Sequence, residues 1–196
     1  MTTRSSTLTR ETRETQITAT LELDKAGEAT VATGLPFLDH MLEAWACHGG
    51  FGLRLQANGD LDVDPHHLVE DCGIVLGRVI AGSLAESGAI RRAGFYSFPM
   101  DGSLANVAID LCGRPNLIWN VPLIGRRLGD LDPFLLKDFF KALSDNLRAT
   151  VHVNVPYGDN DHHMLEAVFK AFGRGLRQAV QPVNGDVIST KGIIDG

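Results

Sequence analysis

Five residues in one pattern occur twice in this chain. His66-His67-Leu68-Val69-Glu70 reads H-H-x-x-E, and His162-His163-Met164-Leu165-Glu166 repeats it ninety-six positions on. Four of the chain's 7 histidines stand in these two places. Imidazole and carboxylate donors at this spacing suit a first-row transition metal. On a helix, a glutamate shares a face with the histidine four residues before it and adjoins the one three residues before it. The two neighbouring histidines diverge by about 100°. One ion is therefore not expected to take both histidines of a pair. The geometry suits two ions, one held by a histidine and the glutamate, the other by the second histidine. Two copies imply a duplicated fold that binds metal with both halves.

Further donors are needed to fill two coordination spheres. His40 lies in an apolar helical stretch with Phe37, Met41, Leu42 and Trp45. In the alternating run from Val151 to Val155, the three valines share one face and His152 points to the other. Six histidines, His40, His66, His67, His152, His162 and His163, together with Glu70 and Glu166, would supply two sites of three nitrogens and one carboxylate each. Such sites suit Mn, Fe, Ni or Zn, and no thiolate takes part. His48, before Gly49-Gly50, reads instead as a helix-terminal residue meeting the last carbonyls. The acidic runs at Asp60 to Asp64 and Asp159 to Asp161 lack the spacing of a calcium loop and read as turns and caps.

The elements that must carry these residues follow from periodicity. Thr15 to Asp24 alternates, with Ile17, Ala19, Leu21 and Leu23 on one face, as a half-buried strand does. A turn at Lys25-Ala26-Gly27 leads to a second strand near 28–33. Pro36 opens a helix that ends at Gly49-Gly50, and Phe51 to Ala57 forms another strand. Asp64 as cap and Pro65 at the first position start a helix to about Ser87. The pattern then restarts. Strands are expected at Gly94 to Met100, Leu104 to Leu111 and Asn116 to Val121, then a helix over Pro133 to Ala149, a strand over Thr150 to Val155 and a helix over Asn160 to Val180. Pro36-Phe37-Leu38 echoes Pro133-Phe134-Leu135, and Gly77-Arg78 echoes Gly173-Arg174. The expected fold is α+β, an internally duplicated half-domain, each half a mostly antiparallel sheet packed against a pair of helices.

Composition narrows the partners. A net charge of -6 over 196 residues argues against a nucleic-acid phosphate backbone as ligand. No apolar stretch approaches the roughly 18 residues of a membrane span. The polar start, rich in Thr and Arg, has no secretory h-region, so a cytoplasmic location is expected. Cys47, Cys72 and Cys112 form no C-x-x-C pair and read as buried free thiols of a reducing compartment.

With these features in place, the chain resembles the imidazoleglycerol-phosphate dehydratases over nearly its whole length. The resemblance is carried by Phe37-Leu38-Asp39-His40-Met41-Leu42, Asp64-Pro65-His66-His67-Leu68-Val69-Glu70-Asp71, Pro99-Met100-Asp101, Gly113-Arg114-Pro115, Asp161-His162-His163-Met164-Leu165-Glu166-Ala167 and Ser189-Thr190-Lys191-Gly192. It implies a monofunctional hydro-lyase of L-histidine biosynthesis, converting D-erythro-imidazole glycerol phosphate to imidazole acetol phosphate and water. It implies a fold like ribosomal protein S5 domain 2, as one dehydratase domain made of repeats at about 15–90 and 91–181 with a substrate-closing tail at 182–196. Two manganese ions per active site and a twenty-four-subunit shell with sites between subunits are likewise what the resemblance implies.

The same resemblance assigns roles. His67, Glu70, His163 and Glu166 would be catalytic metal ligands, Glu14 the general acid/base, and Glu14, Arg92, Arg114, Ser189 and Lys191 the substrate-binding set, with Asp101 in support. The chemistry explains the demand. A proton must leave a carbon beside the imidazole ring, with no carbonyl to acidify it, and a hydroxyl leaves the next carbon. The ring must take up the charge as an imidazolate and then a diazafulvene, which metal ions on its nitrogens would stabilise. Arginine forks and a lysine point charge suit the phosphate. A metal-dependent hydrolase and a metal-storage shell are the competing readings. The cations Arg92, Arg114 and Lys191 speak against storage.

Overall fold

Alternation places Ile17, Ala19, Leu21 and Leu23 on one face of a strand, and all four are fully buried. The structure, a computed structural model, describes residues 4–25, 29–125 and 127–185. Two four-stranded sheets carry the chain. The first takes β1 (Ser5–Glu11), β2 (Thr15–Glu22), β3 (Ala29–Ala32) and β4 (Gly52–Gly59) in the order β1-β2-β4-β3. The second takes β5 (Ala93–Met100), β6 (Ser103–Asp110), β7 (Asn116–Asn120) and β8 (Thr150–Tyr157) in the order β5-β6-β8-β7. In each sheet the first two pairings are antiparallel and the last is parallel. The two sheets thus share one topology, and the fold is α+β with each sheet packed against helices.

The four helices are α1 (Pro36–Gly49), α2 (His66–Leu84), α3 (Leu135–Leu147) and α4 (Asp161–Ala179). They pack across the halves rather than within them, α1 against α4 and α2 against α3. Two echoed glycines explain how closely. A Cβ on Gly77 would fall 2.7 Å from the Leu143 carbonyl oxygen of α3, and one on Gly173 would fall 2.5 Å from the Trp45 carbonyl oxygen of α1. Only a residue without a side chain lets the backbones approach so near. Around these crossings Trp45, Phe139, Phe140, Phe169 and Phe172 fill one continuous core.

Three expectations need correction. Strand β1 was not foreseen, because Leu8 is the single apolar residue among Ser5–Glu11. It is held instead by the ladder to β2, by Thr7–Thr20 and Thr9–Thr18 hydroxyl bonds, and by Arg10, whose guanidinium pairs with Asp71 of α2. Pro65 is the cap residue of α2 rather than its first helical one, while the Asp64 carboxylate accepts from the His66 N–H at 2.7 Å. Cys47 is exposed on α1, whereas Cys72 and Cys112 are buried. Burial pushes the Cys72 thiol well above its ordinary range.

Candidate active site

The α1–α4 crossing brings His40, His162 and Glu166 together, with one donor atom from each lying within 4.8 Å of the others. His162 Nε2 is 3.3 Å from Glu166 Oε2, and His40 Nε2 is 3.8 Å from Glu166 Oε1. Phe37 braces the His162 ring edge-on, with centroids 5.2 Å apart. Glu166 is buried, which would raise its pKa. The hydrogen bond and charge of Lys170, 2.8 Å away, and the nearby imidazoles outweigh burial and lower it. A carboxylate kept ionised beside two imidazoles is a donor set that fits a divalent cation. Lys170 was not foreseen from sequence. The available signal was its position four residues after Glu166 on one helix face.

The splay expected within each pair is present. His162 turns to Glu166, while His163 turns to Asp101, with Nε2 3.6 Å from the carboxylate. The rings of His162 and His163 stand 82° apart. Asn160 caps α4 by accepting from the His163 N–H, and buried Asp161 accepts from the N–H groups of Ile124 and Gly125. Both tie the helix start to its surroundings.

In the other motif, His66 Nε2 is 3.9 Å from Glu70 and Nδ1 is 3.7 Å from Asp138 of α3. By the echo of Pro36 with Pro133, the α3 position matching His40 is Lys137. This crossing therefore lacks the second imidazole, and among the described residues no second donor cluster like the first is assembled. His67 faces the β1–β2 turn. Its Nδ1 is 3.1 Å from Asp60 Oδ2 and 3.9 Å from Glu14 Oε2. The hydrogen bond with Asp60, helped by the charges of Glu14, Asp60 and Asp64, outweighs desolvation and raises the His67 pKa. Glu14, at the turn tip, is half exposed. It borders an open groove of about 370 Å³ that also includes Asp60.

Other expected residues lie apart from this cluster. His152 projects from the face of the second sheet away from the helices, between Ala108 and Ile118, while Val151 and Val153 are fully buried beneath it. Arg92 donates through Nε and Nη2 to Asp110 at 2.7 and 3.0 Å, and its N–H reaches the Ala179 carbonyl at the far end of α4. From Glu166 to Ala179 is roughly 20 Å along a helix. The exposed Arg114, whose carbonyl accepts from Thr150 Oγ1, sits at that same distant end. Ser189 and Lys191 lie outside the described residues. His48 does not cap α1. Gly50 does so through its own N–H, and the His48 ring packs edge-on against Phe98 at 5.1 Å. Its Nδ1 is buried with no hydrogen-bond partner among the described residues, and burial followed by the charges of Lys170 and Arg174 lowers its pKa.

Fold and site together define a duplicated α+β protein with a nitrogen-and-carboxylate donor cluster at a helix crossing. Similarity to known proteins gives that class a family. The family model for imidazoleglycerol-phosphate dehydratase matches residues 33–176. Dehydratases of that name from Geobacter metallireducens and Geobacter sulfurreducens are 52% and 50% identical, each over 96% of this chain and 98% of the relative. The crystal structure of the Staphylococcus aureus dehydratase superposes with a TM-score of 0.83 at 35% identity, covering 91% of this chain and 99% of that one. The Pyrococcus furiosus structure gives 0.83 at 36% identity, covering 95% and 99%. The chain belongs to the imidazoleglycerol-phosphate dehydratase family of hydro-lyases.

Proposed function

We propose that this chain dehydrates D-erythro-imidazole glycerol phosphate to imidazole acetol phosphate and water in L-histidine biosynthesis, with two manganese ions per active site. The observation that carries the reading is the meeting of His40, His162 and Glu166 at the α1–α4 crossing in a chain of this family. His40, His162 and Glu166 would hold one ion. His66 and Glu70, with His67, His152 and His163, would supply donors to the rest of the pair. Bound there, the ions supply Lewis acidity to the substrate's ring nitrogens and so stabilise negative charge on the ring.

The chain's own groups do the remaining work. Glu14, half exposed on its turn, is the proton carrier for the second carbon from the ring. An acetol carries its carbonyl on that second carbon, so the hydroxyl leaves from the carbon beside the ring, the reverse of the order expected from the sequence. The ring supplies the electrons that expel it, hydroxyl and proton depart together as water, and the enol left behind becomes the ketone. Arg92 and Arg114 bind the phosphate through guanidinium forks, and Ser189 and Lys191 complete that set. Lys170 keeps Glu166 anionic.

The placement of these groups supports sites shared between copies. The arginines stand a helix length from the three-donor cluster, and His152 faces outward from its own sheet. Phe95 and Ile118 are exposed on that same outer face, at 56% and 48%, as surface awaiting a partner would be. We read the assembly as the twenty-four-subunit shell that the resemblance implies, in the cytoplasm. No described helix is long and apolar enough to cross a membrane. The test is turnover of imidazole glycerol phosphate by metal-stripped protein before and after manganese is restored. Imidazole acetol phosphate is expected only after restoration, and its absence in both states would overturn the reading.

A further inference from the structure

Asp60 stands one residue beyond β4 and is fixed on both sides of its backbone. Its N–H donates to the Glu14 carbonyl at 3.1 Å, and its own carbonyl accepts from the Val63 N–H at 2.8 Å. Its carboxylate Oδ2 lies 3.1 Å from His67 Nδ1. The other oxygen, Oδ1, is buried and has no hydrogen-bond partner among the described residues. The side chain is therefore committed to one contact, the His67 ring.

The duplicated half shows that this contact is not a by-product of the topology. Gly59 ends β4 and Gly158 follows the end of β8, each beneath the residue that follows a histidine pair, Leu68 and Met164. Asp60 and Asp159 come next in each half. Asp159 packs against the β5–β6 turn, where a Cβ on Gly102 would fall 2.6 Å from its Oδ2. His163 instead meets Asp101, a 75% exposed side chain, at 3.6 Å. Among the described residues, only His67 has a ring nitrogen hydrogen-bonded to a carboxylate.

We propose that Asp60 is a positioning residue that holds His67 in its Nδ1–H tautomer, leaving Nε2 as the ligand nitrogen and Glu14 free of the imidazole. A carboxylate on the far nitrogen fixes the orientation of a ligating ring and makes the near nitrogen more basic. It also settles a competition. Glu14 is 3.9 Å from the same Nδ1. Without Asp60 the ring proton would turn to Glu14 and occupy the oxygen assigned to proton transfer. The proposal rests on the reading of His67 as a metal ligand.

Four variants of the full-length protein test it by manganese competition against a chelator: Asp60→Ala, Asp60→Asn, Asp62→Asn and His67→Ala. Outer carboxylate partners of ligating histidines are worth roughly 10- to 100-fold in affinity. Asp60→Ala is expected to weaken manganese binding within that range. Asp60→Asn, whose amide oxygen still accepts from Nδ1–H, should recover much of the loss. Asp62→Asn, which removes an exposed charge from the same turn, should change nothing. In metal-stripped protein, two-bond proton–nitrogen correlations should show His67 as the Nδ1–H tautomer, and a mixture of tautomers in Asp60→Ala. Wild-type affinity in Asp60→Ala alongside a loss in His67→Ala overturns the positioning role and leaves the metal reading standing. Wild-type affinity in His67→Ala overturns both. Equal losses in Asp60→Ala, Asp60→Asn and Asp62→Asn also overturn the proposal, because charge rather than the hydrogen bond would then govern the affinity.

Discussion

Glu14 and Asp101 occupy matching hairpin turns, and each brings a carboxylate near the second histidine of a pair, at 3.9 and 3.6 Å. What separates them is the third party. Asp60 engages His67 and leaves Glu14 without an obligatory partner, whereas His163 has no such intermediary. A half-exposed carboxylate beside a groove can meet a substrate carbon; a glutamate engaged as a metal ligand, the role proposed for Glu166, cannot. General acid–base groups contribute roughly 10²- to 10⁴-fold to rate. Glu14→Gln is therefore expected to lower kcat within that range while metal content, read by atomic emission, stays at the wild-type level. An unchanged kcat would remove Glu14 as the proton carrier. A parallel loss of metal would instead make it part of the metal site.

At the scale of elements, the helix crossings decide where donors meet. Gly77 and Gly173 are the same contact in two halves, but only the Gly173 crossing sets His40 against Glu166. Forcing a methyl group into such a contact costs about 1–3 kcal/mol. Gly77→Ala and Gly173→Ala should thus lower the urea midpoint of metal-stripped protein by comparable amounts. Only Gly173→Ala should also weaken binding at the His40–His162–Glu166 cluster. Equal effects on metal affinity would show that the crossing does not set the cluster. These crossings also mark the boundary of what sequence reveals. The strand faces, the duplication and the splay of the histidine pairs follow from periods of 2 and 3.6 residues. His40 could be read as a donor, but its partner helix could not, because the pairing of α1 with α4 joins residues more than a hundred positions apart. Lys170 carried a signal, its place four residues after Glu166, whereas Asp60 reads only as a turn residue because its meeting with His67 depends on how the loop after β4 folds back on α2. Strand β1 was illegible because its stability comes from side-chain bonds to β2 and α2 rather than from an apolar face.

At the scale of the whole molecule, the chain holds the parts of a site without holding a site. The three-donor cluster and Lys170 lie near the start of α4, and Arg92 and Arg114 lie at the other end of the same sheet. A helix length of roughly 20 Å exceeds the reach of any side chain. On the roles proposed for these residues, a substrate that spans an imidazole ring, three carbons and a phosphate takes its ring ligands from one copy and its phosphate ligands from another. Complementation follows from this division. A chain carrying His40→Ala spoils the ring end, and a chain carrying Arg114→Ala spoils the phosphate end. Each alone should assemble with almost no turnover. Co-expressed with different tags and purified through both, they should form mixed assemblies in which about a quarter of sites draw both halves from undamaged faces, as random placement in a symmetric shell requires. Activity should return to that fraction of wild type. Mixed assemblies as inactive as their parents would mean that His40 and Arg114 serve each site from a single chain.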